Sequence, residues 1–205
     1  MRIRQAKQED AQTLGTLVFS SAPTALAATF NINHELCAIS FLKTSLANAD
    51  GQYGYANHWL AEIDKQVVGC ICAWHSDLAD SFHQATLTKL RDFYGLAHTL
   101  VVVKTSLALQ DCIPKPEQHE WCIGHFAVSQ QYQRQGVGTA LLELMYKQAL
   151  NAGKLALSLD VESSNKQAID FYLKQGFVVK SESGVSSNMQ TLGIVAYLHL
   201  SKTLV

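Results

Sequence analysis

Two glycines placed between a strand-like run and a helical run constrain this chain more than any other feature. Trp121-Cys122-Ile123-Gly124-His125-Phe126-Ala127-Val128 is apolar and strand-like, whereas Thr139, Ala140, Leu141, Leu142, Met145, Tyr146, Ala149 and Leu150 recur with helical spacing. A helix is therefore predicted to begin within the pair Gly136 and Gly138. First-turn N–H groups have no intrahelical partner, and aligned peptide dipoles place partial positive charge there, so the turn suits a pyrophosphate. Glycine lets a ligand approach the backbone and opens backbone angles closed to other residues. Arg134 can add charge from a longer reach.

Two other glycine motifs are excluded. Gly138 is followed by Thr139-Ala140 rather than Lys-Ser/Thr, and no third glycine completes a dinucleotide fingerprint. Gln133-Arg134-Gln135-Gly136-Val137-Gly138 instead resembles the Arg/Gln-x-x-Gly-x-Gly/Ala signature of the GCN5-related N-acetyltransferase superfamily. In that family the segment binds the pyrophosphate of coenzyme A.

A second segment follows in the order the resemblance requires. Leu155, Leu157, Leu159 and Val161 alternate with smaller or polar residues as in a strand, and Ser163, Ser164 or Asn165 caps a helix that Gly176 closes. Asn165 and Tyr172, seven residues apart, would project from nearly the same helical face, about 10 Å apart along the axis. Asn165 to Phe177 is similar to the family's Asn-x-x-Ala-x-x-Phe-Tyr…Gly-Phe element. There the asparagine contacts the pantetheine arm, and the tyrosine often protonates the departing thiolate.

The remainder fits the same fold. Ile3 to Ala6 and the helical Leu14, Leu17 and Val18 resemble the family's opening strand and helix. Residues 58–64 and 67–74, joined by Lys65-Gln66, read as an antiparallel hairpin; 177–180 and 192–200 supply two last strands. The expected fold is α/β (α+β), with a mixed, mostly antiparallel sheet of six or seven strands flanked by helices. The long segment from Asp77 to Glu120, in which Leu87, Leu90, Phe93 and Tyr94 have helical spacing, should insert helices before the fourth strand. Together with 21–24 and 48–57 it forms either an acceptor wall or a helical cover.

Composition narrows the function classes. At 205 residues, with three prolines and no linker-like tract, one domain over 1–205 is expected, which the resemblance implies is an acyl-CoA N-acyltransferase domain. Net charge of −1 and a pI near 6.7 argue against nucleic acid or an anionic membrane as partner. The apolar stretch Leu96 to Leu109 is too short to span a bilayer, and residues 1–7 lack a secretory core, so a cytoplasmic location is expected. Five cysteines, with Cys70 and Cys72 on one strand face, read as buried apolar residues; scattered histidines give no metal-ligand spacing, so no metal is expected.

The implied reaction is acetyl transfer from acetyl-CoA to a primary amine of a small molecule or peptide, by direct attack in a ternary complex, in a monomer or homodimer. The ammonium must lose a proton, an oxyanion must be stabilised, and a thiolate must leave. The resemblance assigns the backbone of Phe126, Ala127 and Val128 to the pantetheine, with the N–H of Val128 or a neighbour as oxyanion donor. It assigns Gln133, Arg134, Gln135, Gly136, Val137, Gly138 and Thr139 to the phosphates, Asn165 to the arm and Tyr172 to the thiolate. For the base, Glu120 working through water ranks first and His125 second. Strict alternation would set Glu120 and Val128 on one face; a bulge would turn His119 or His125 inward instead. The family's usual glutamate position is occupied by Cys122. The alternative is a non-catalytic acyl-CoA binding or sensing module.

Overall fold

The structure is a computed structural model, described over residues 1–204. Seven strands form one sheet in the order β1-β2-β3-β4-β5-β7-β6. They are β1 (Arg2–Gln5), β2 (His58–Ile63), β3 (Gln66–Trp74), β4 (Glu120–Val128), β5 (Ala156–Glu162), β6 (Val178–Glu182) and β7 (Tyr197–Thr203). Every pairing is antiparallel except β4 with β5. Among the described residues the α-helices are α1 (Ala11–Ser21), α2 (Pro23–Phe30), α3 (Ala38–Ser45), α4 (Asp80–Leu109), α5 (Val137–Asn151), α6 (Lys166–Lys174) and α7 (Ser187–Thr191). Among the same residues no single helix is long and apolar enough to cross a membrane.

Alternation along the strands divides the core into two layers. Leu60 and Cys70 face a cluster built from α1 to α4, including Leu14, Phe41, Leu42 and Tyr94. Ala61 and Ile71 face the opposite cluster, where α5 and α6 contribute Leu141, Met145, Ile169 and Tyr172. The inserted segment is the long helix α4, broken at Gly95, whose φ of 72° is not helical. Buried Leu90 and Tyr94 bind its first half to the core, and the Tyr94 hydroxyl donates to the Phe30 carbonyl at 2.8 Å.

Local chemistry explains the boundaries. Asp64 and Lys65 both have positive φ, as a two-residue hairpin turn matched to strand twist requires, so the β2–β3 turn lies one residue earlier than expected from the sequence. Asn165 caps α6 by accepting from the Ala168 N–H at 3.1 Å. Gly176, at φ 87°, ends that helix with the paired bonds of a Schellman motif: Gly176 N–H to Leu173 O and Phe177 N–H to Tyr172 O. One expectation is corrected. Residues 192–196 are not strand: the short α7 occupies 187–191, and β7 begins only at Tyr197.

Candidate active site

The site is built where two parallel neighbours part. β4 and β5 pair only over Glu120↔Ala156, Trp121↔Leu157 and Cys122↔Ser158. Beyond Cys122 the strands diverge, while β4 stays paired to β3 as far as Val128. The Ser129 N–H donates back to Val68 O at 2.8 Å. Alternation therefore aims the N–H of Val128, and that of Phe126, away from β3 and into the cleft. A free main-chain edge of this kind can pair with an extended amide chain as if with another strand.

A β-bulge sits at the mouth of the cleft. Cys70 pairs with Ala127 but Cys72 with Gly124, so β4 carries one extra residue, and His125 has a φ of 44°. The bulge overturns the strict alternation expected between Glu120 and Val128. Val128 packs against the α5 layer, whereas His125 turns to the other face, among Tyr53, His58 and Trp74. Gly124 is required beside it, because a Cβ there would collide with the Trp74 indole.

At the end of β4 the chain makes a tight loop into α5. Gly136 has a φ of 82° and is the N-cap of that helix, so the helix begins inside the glycine pair as expected. Gly138 lies under two rings: a Cβ there would stand 3.2 Å from Phe171 and 3.4 Å from Phe126. Among the described residues, the main-chain N–H groups from Arg134 to Thr139 donate to no protein acceptor. They form a concentrated set of donors at a helix N-terminus, suited to an anion. The loop's side chains are largely committed to holding its shape. Gln133 donates to Val128 O at 3.1 Å and accepts from Gln167 at 2.9 Å, Gln135 donates to Gln131 O at 2.8 Å, and Thr139 Oγ1 lies 3.4 Å from Gln175. Asn165, whose Oδ1 accepts from the Ala168 N–H to cap α6, keeps its NH2 group for another partner.

Tyr172, on α6, is buried in the core layer against which Phe126 of β4 also packs. Its ring packs against Phe126, Phe171 and Phe177, with centroids 6.1, 5.5 and 5.7 Å away. Burial raises the pKa of its phenol and keeps it protonated. Its hydroxyl pairs with no protein group, yet it is not among the sealed polar atoms without a partner, which are Ser45 Oγ, Trp121 Nε1 and Ser158 Oγ among the described residues.

Glu120 and His125 are kept apart. Glu120 lies in the paired part of β4, five residues below His125, or about 15 Å along a strand. It is buried and doubly engaged, accepting from the Glu117 N–H at 2.9 Å and lying 3.3 Å from His199 Nε2. His199 Nδ1 in turn lies 3.0 Å from Asp160. That hydrogen bond to Asp160 is the main reason the His199 pKa is raised, against a smaller opposing effect of burial. His119 is exposed beside Glu117. Cys122, at the family's glutamate position, is a buried thiol pushed up to about 12 by burial.

His125 is part of a chain of polar contacts that its own strand did not disclose. His58 Nδ1 lies 2.8 Å from the Gly54 carbonyl, and His58 Nε2 lies 2.9 Å from His125 Nδ1. Burial lowers the pKa of both rings, that of His58 to about 4, so both are neutral near pH 7. Tyr53 stacks on His125 at 5.3 Å, and Trp74 meets it edge-on at 5.3 Å. The ligand atoms of His58, Cys72 and His125 fall within 4.8 Å of one another. The two imidazoles are, however, coplanar to 4° with facing nitrogens 2.9 Å apart, whereas a tetrahedral ion would hold its nitrogens about 3.3 Å apart. The arrangement is that of a hydrogen bond rather than a chelate.

The parting β4–β5 pair, the bulge and the glycine-capped helix all lie within residues 29–177, which align with the model of a known family. The chain belongs to the acetyltransferase (GNAT) family. Solved structures give the same fold at low identity. An N-acetyltransferase from Staphylococcus aureus Mu50 superposes with a TM-score of 0.69 at 19% identity, covering 98% of this chain and 100% of that one. A second acetyltransferase gives a TM-score of 0.64 at 19% identity, with 100% of both chains covered. YncA of Salmonella typhimurium, solved with its cofactor acetyl-CoA, gives 0.57 at 15% identity, covering 100% of this chain and 94% of that one. No curated protein sequence matches the chain. Membership of the GNAT family agrees with the expected fold, including its mostly antiparallel seven-stranded sheet.

Tyr53, His58, Trp74 and His199 did not stand out in the sequence. His58 opened a predicted strand, but only the register His58↔Cys72 and Cys72↔Gly124 brings it beside His125.

Proposed function

We propose that residues 1–205 form one acyl-CoA N-acyltransferase domain that transfers an acetyl group from acetyl-CoA to a primary amine, by direct attack in a ternary complex. The observation that carries this reading is the cleft itself: Phe126 and Val128 turn N–H donors into the β4–β5 gap, and the free donors of 134–139 follow directly at its end. Pantetheine amides would add to β4 as a strand, and the diphosphate would sit on the N-terminus of α5. The acetyl-CoA bound in the Salmonella relative supports this donor.

In this mechanism the acceptor ammonium first gives a proton to His125. The neutral amine attacks the thioester carbon, and a β4 N–H bordering the cleft, that of Val128 or its neighbour Phe126, stabilises the oxyanion. As the C–S bond breaks, Tyr172 protonates the thiolate, and the new amide's surplus proton restores the phenol. His125 stands ahead of Glu120 as base because it lies at the opening of the cleft and is held neutral by burial, whereas Glu120 is occupied by His199 and the Glu117 N–H.

The acceptor is a small-molecule or peptide amine, and the protein acts as a monomer or homodimer in the cytoplasm, with no metal, nucleic acid or membrane taking part. The test is thiol release from acetyl-CoA across a panel of amines, peptides and aminoglycosides. Acceptor-dependent release is expected, and Tyr172→Phe should lower kcat about 10-fold to 100-fold while leaving acetyl-CoA affinity intact. Tight acetyl-CoA binding without acceptor-dependent release would favour a non-catalytic sensing module instead.

A further inference from the structure

The Gly54 carbonyl can only accept a hydrogen bond, and this fixes the protons along the whole contact chain. His58 Nδ1, 2.8 Å from that oxygen, must carry a hydrogen. Because His58 is neutral and fully buried, its Nε2 is then a lone pair. The nitrogen 2.9 Å away, His125 Nδ1, must supply the hydrogen between the two rings. A neutral His125 is thereby left with its only lone pair on Nε2, the far side of the ring from His58. Unconstrained imidazole disfavours this tautomer, so the lone pair's position depends on the neighbour.

We propose that His58 is a positioning residue that fixes His125 in the Nδ1-protonated tautomer and so presents Nε2 as the proton acceptor for the substrate amine. The proposal rests on His125 being the base. In the step itself, an acceptor N–H bond breaks, its electron pair stays on the amine, and an Nε2–H bond forms. The resulting cation is shared along the two rings: the Nδ1 proton can shift towards His58 Nε2, while the Gly54 oxygen stabilises the charge through the His58 Nδ1–H. Loss of the Nε2 proton to water after product release restores the pair. The surroundings keep the uncharged form ready, since the other titratable groups around the rings, Tyr53, Cys70 and Cys72, are themselves held neutral by burial. The bulge, the stacked Tyr53 ring and the edge-on Trp74 indole fix the ring plane that the relay requires.

The direct test is long-range nitrogen–proton correlation NMR on the intact 15N-labelled protein near pH 7. Both His58 and His125 should show a protonated Nδ1 and a bare Nε2; a protonated Nε2 on His125 would overturn the proposal. Kinetics supply the second arm. His58→Phe removes the acceptor and should lower kcat/KM for the amine about 100-fold at every pH, with KM for acetyl-CoA unchanged. His58→Gln, whose amide can donate to Gly54 and accept from His125, should recover at least 10-fold of that loss. Equal loss in both variants, or none in either, contradicts the positioning role. Full activity in His125→Ala overturns it through the base assignment, a failure told apart from that of the relay because the spectra would still show the Nδ1 proton.

Discussion

Two histidine sites on the same face of the sheet are shifted in opposite directions by what each one touches. His125 faces another imidazole, whose own proton is tied to a carbonyl, and burial drives both pKa values down. His199 bridges Asp160 and Glu120, and its pKa is raised, chiefly by the bond to Asp160. The first site holds a neutral imidazole at the opening of a cleft, the base in the proposed mechanism. The second is an imidazole whose protonated form is favoured by two carboxylates at the paired end of β4, β5 and β7. Position relative to the parting of β4 and β5 therefore separates the group suited to moving a proton from the one suited to holding strands together.

The largest expected effect is on rate. His125→Ala should reduce kcat by 100-fold to 10,000-fold with acetyl-CoA affinity preserved, as measured by thiol release and calorimetry. Glu120→Gln should leave the acidic limb of the pH–rate profile in place. If the limb disappears in Glu120→Gln and persists in His125→Ala, the roles are reversed.

The next effect is on stability. His199→Leu leaves the buried Asp160 and Glu120 carboxylates without the hydrogen-bond donor between them and should cost about 3 kcal/mol, read from denaturant unfolding. His125→Ala, at a partly exposed bulge, should cost less than half as much. Equal costs would dissolve the distinction between the two sites.

Titration separates them by sign. For His199 the folded pKa is raised, so its stabilising effect is complete below the unfolded value near 6.5 and is lost as pH rises through the folded pKa. For His58 the folded pKa is lowered, so its effect is complete above about 6.5 and is lost as pH falls towards about 4. In unfolding measured across this range, His58→Phe should flatten the acid-side fall, and His199→Leu should flatten the alkaline-side fall. The same slopes in all three proteins would refute the assignment.

The smallest effect concerns the frame around His125. Gly124→Ala must displace the Trp74 indole and should lower kcat only several-fold, about 1 kcal/mol in the barrier, without changing acetyl-CoA binding. An unaltered rate would show that Trp74 does not hold the ring.

Much of the half built from β4, α5 and α6 was legible in the sequence because its signals are local. Gly136 and Gly138 mark a helix start within a few residues, and Asn165 and Gly176 bracket α6. The His58–His125 pair was not legible, because it arises from cross-strand register between residues 67 positions apart and from a bulge that adds one residue to β4. Glu120 looked attractive as a carboxylate on the right strand. Its commitment to His199 depends on β7 lying beside β5, a topological fact with no local trace. The strand expected from 192 failed for a related reason: its apolar residues include Ile194, which is buried in a small cluster with α7 rather than in the sheet.

Amide hydrogen exchange with and without acetyl-CoA tests the central claim most directly. Phe126 and Val128, whose N–H groups face the cleft, should become protected when acetyl-CoA is added, together with Gly136, Val137 and Gly138. Ala127, whose N–H faces β3, should change little. Protection of Ala127 alone, or no change along 126–138 in acetyl-CoA-saturated protein, would contradict the reading of this cleft as the donor site.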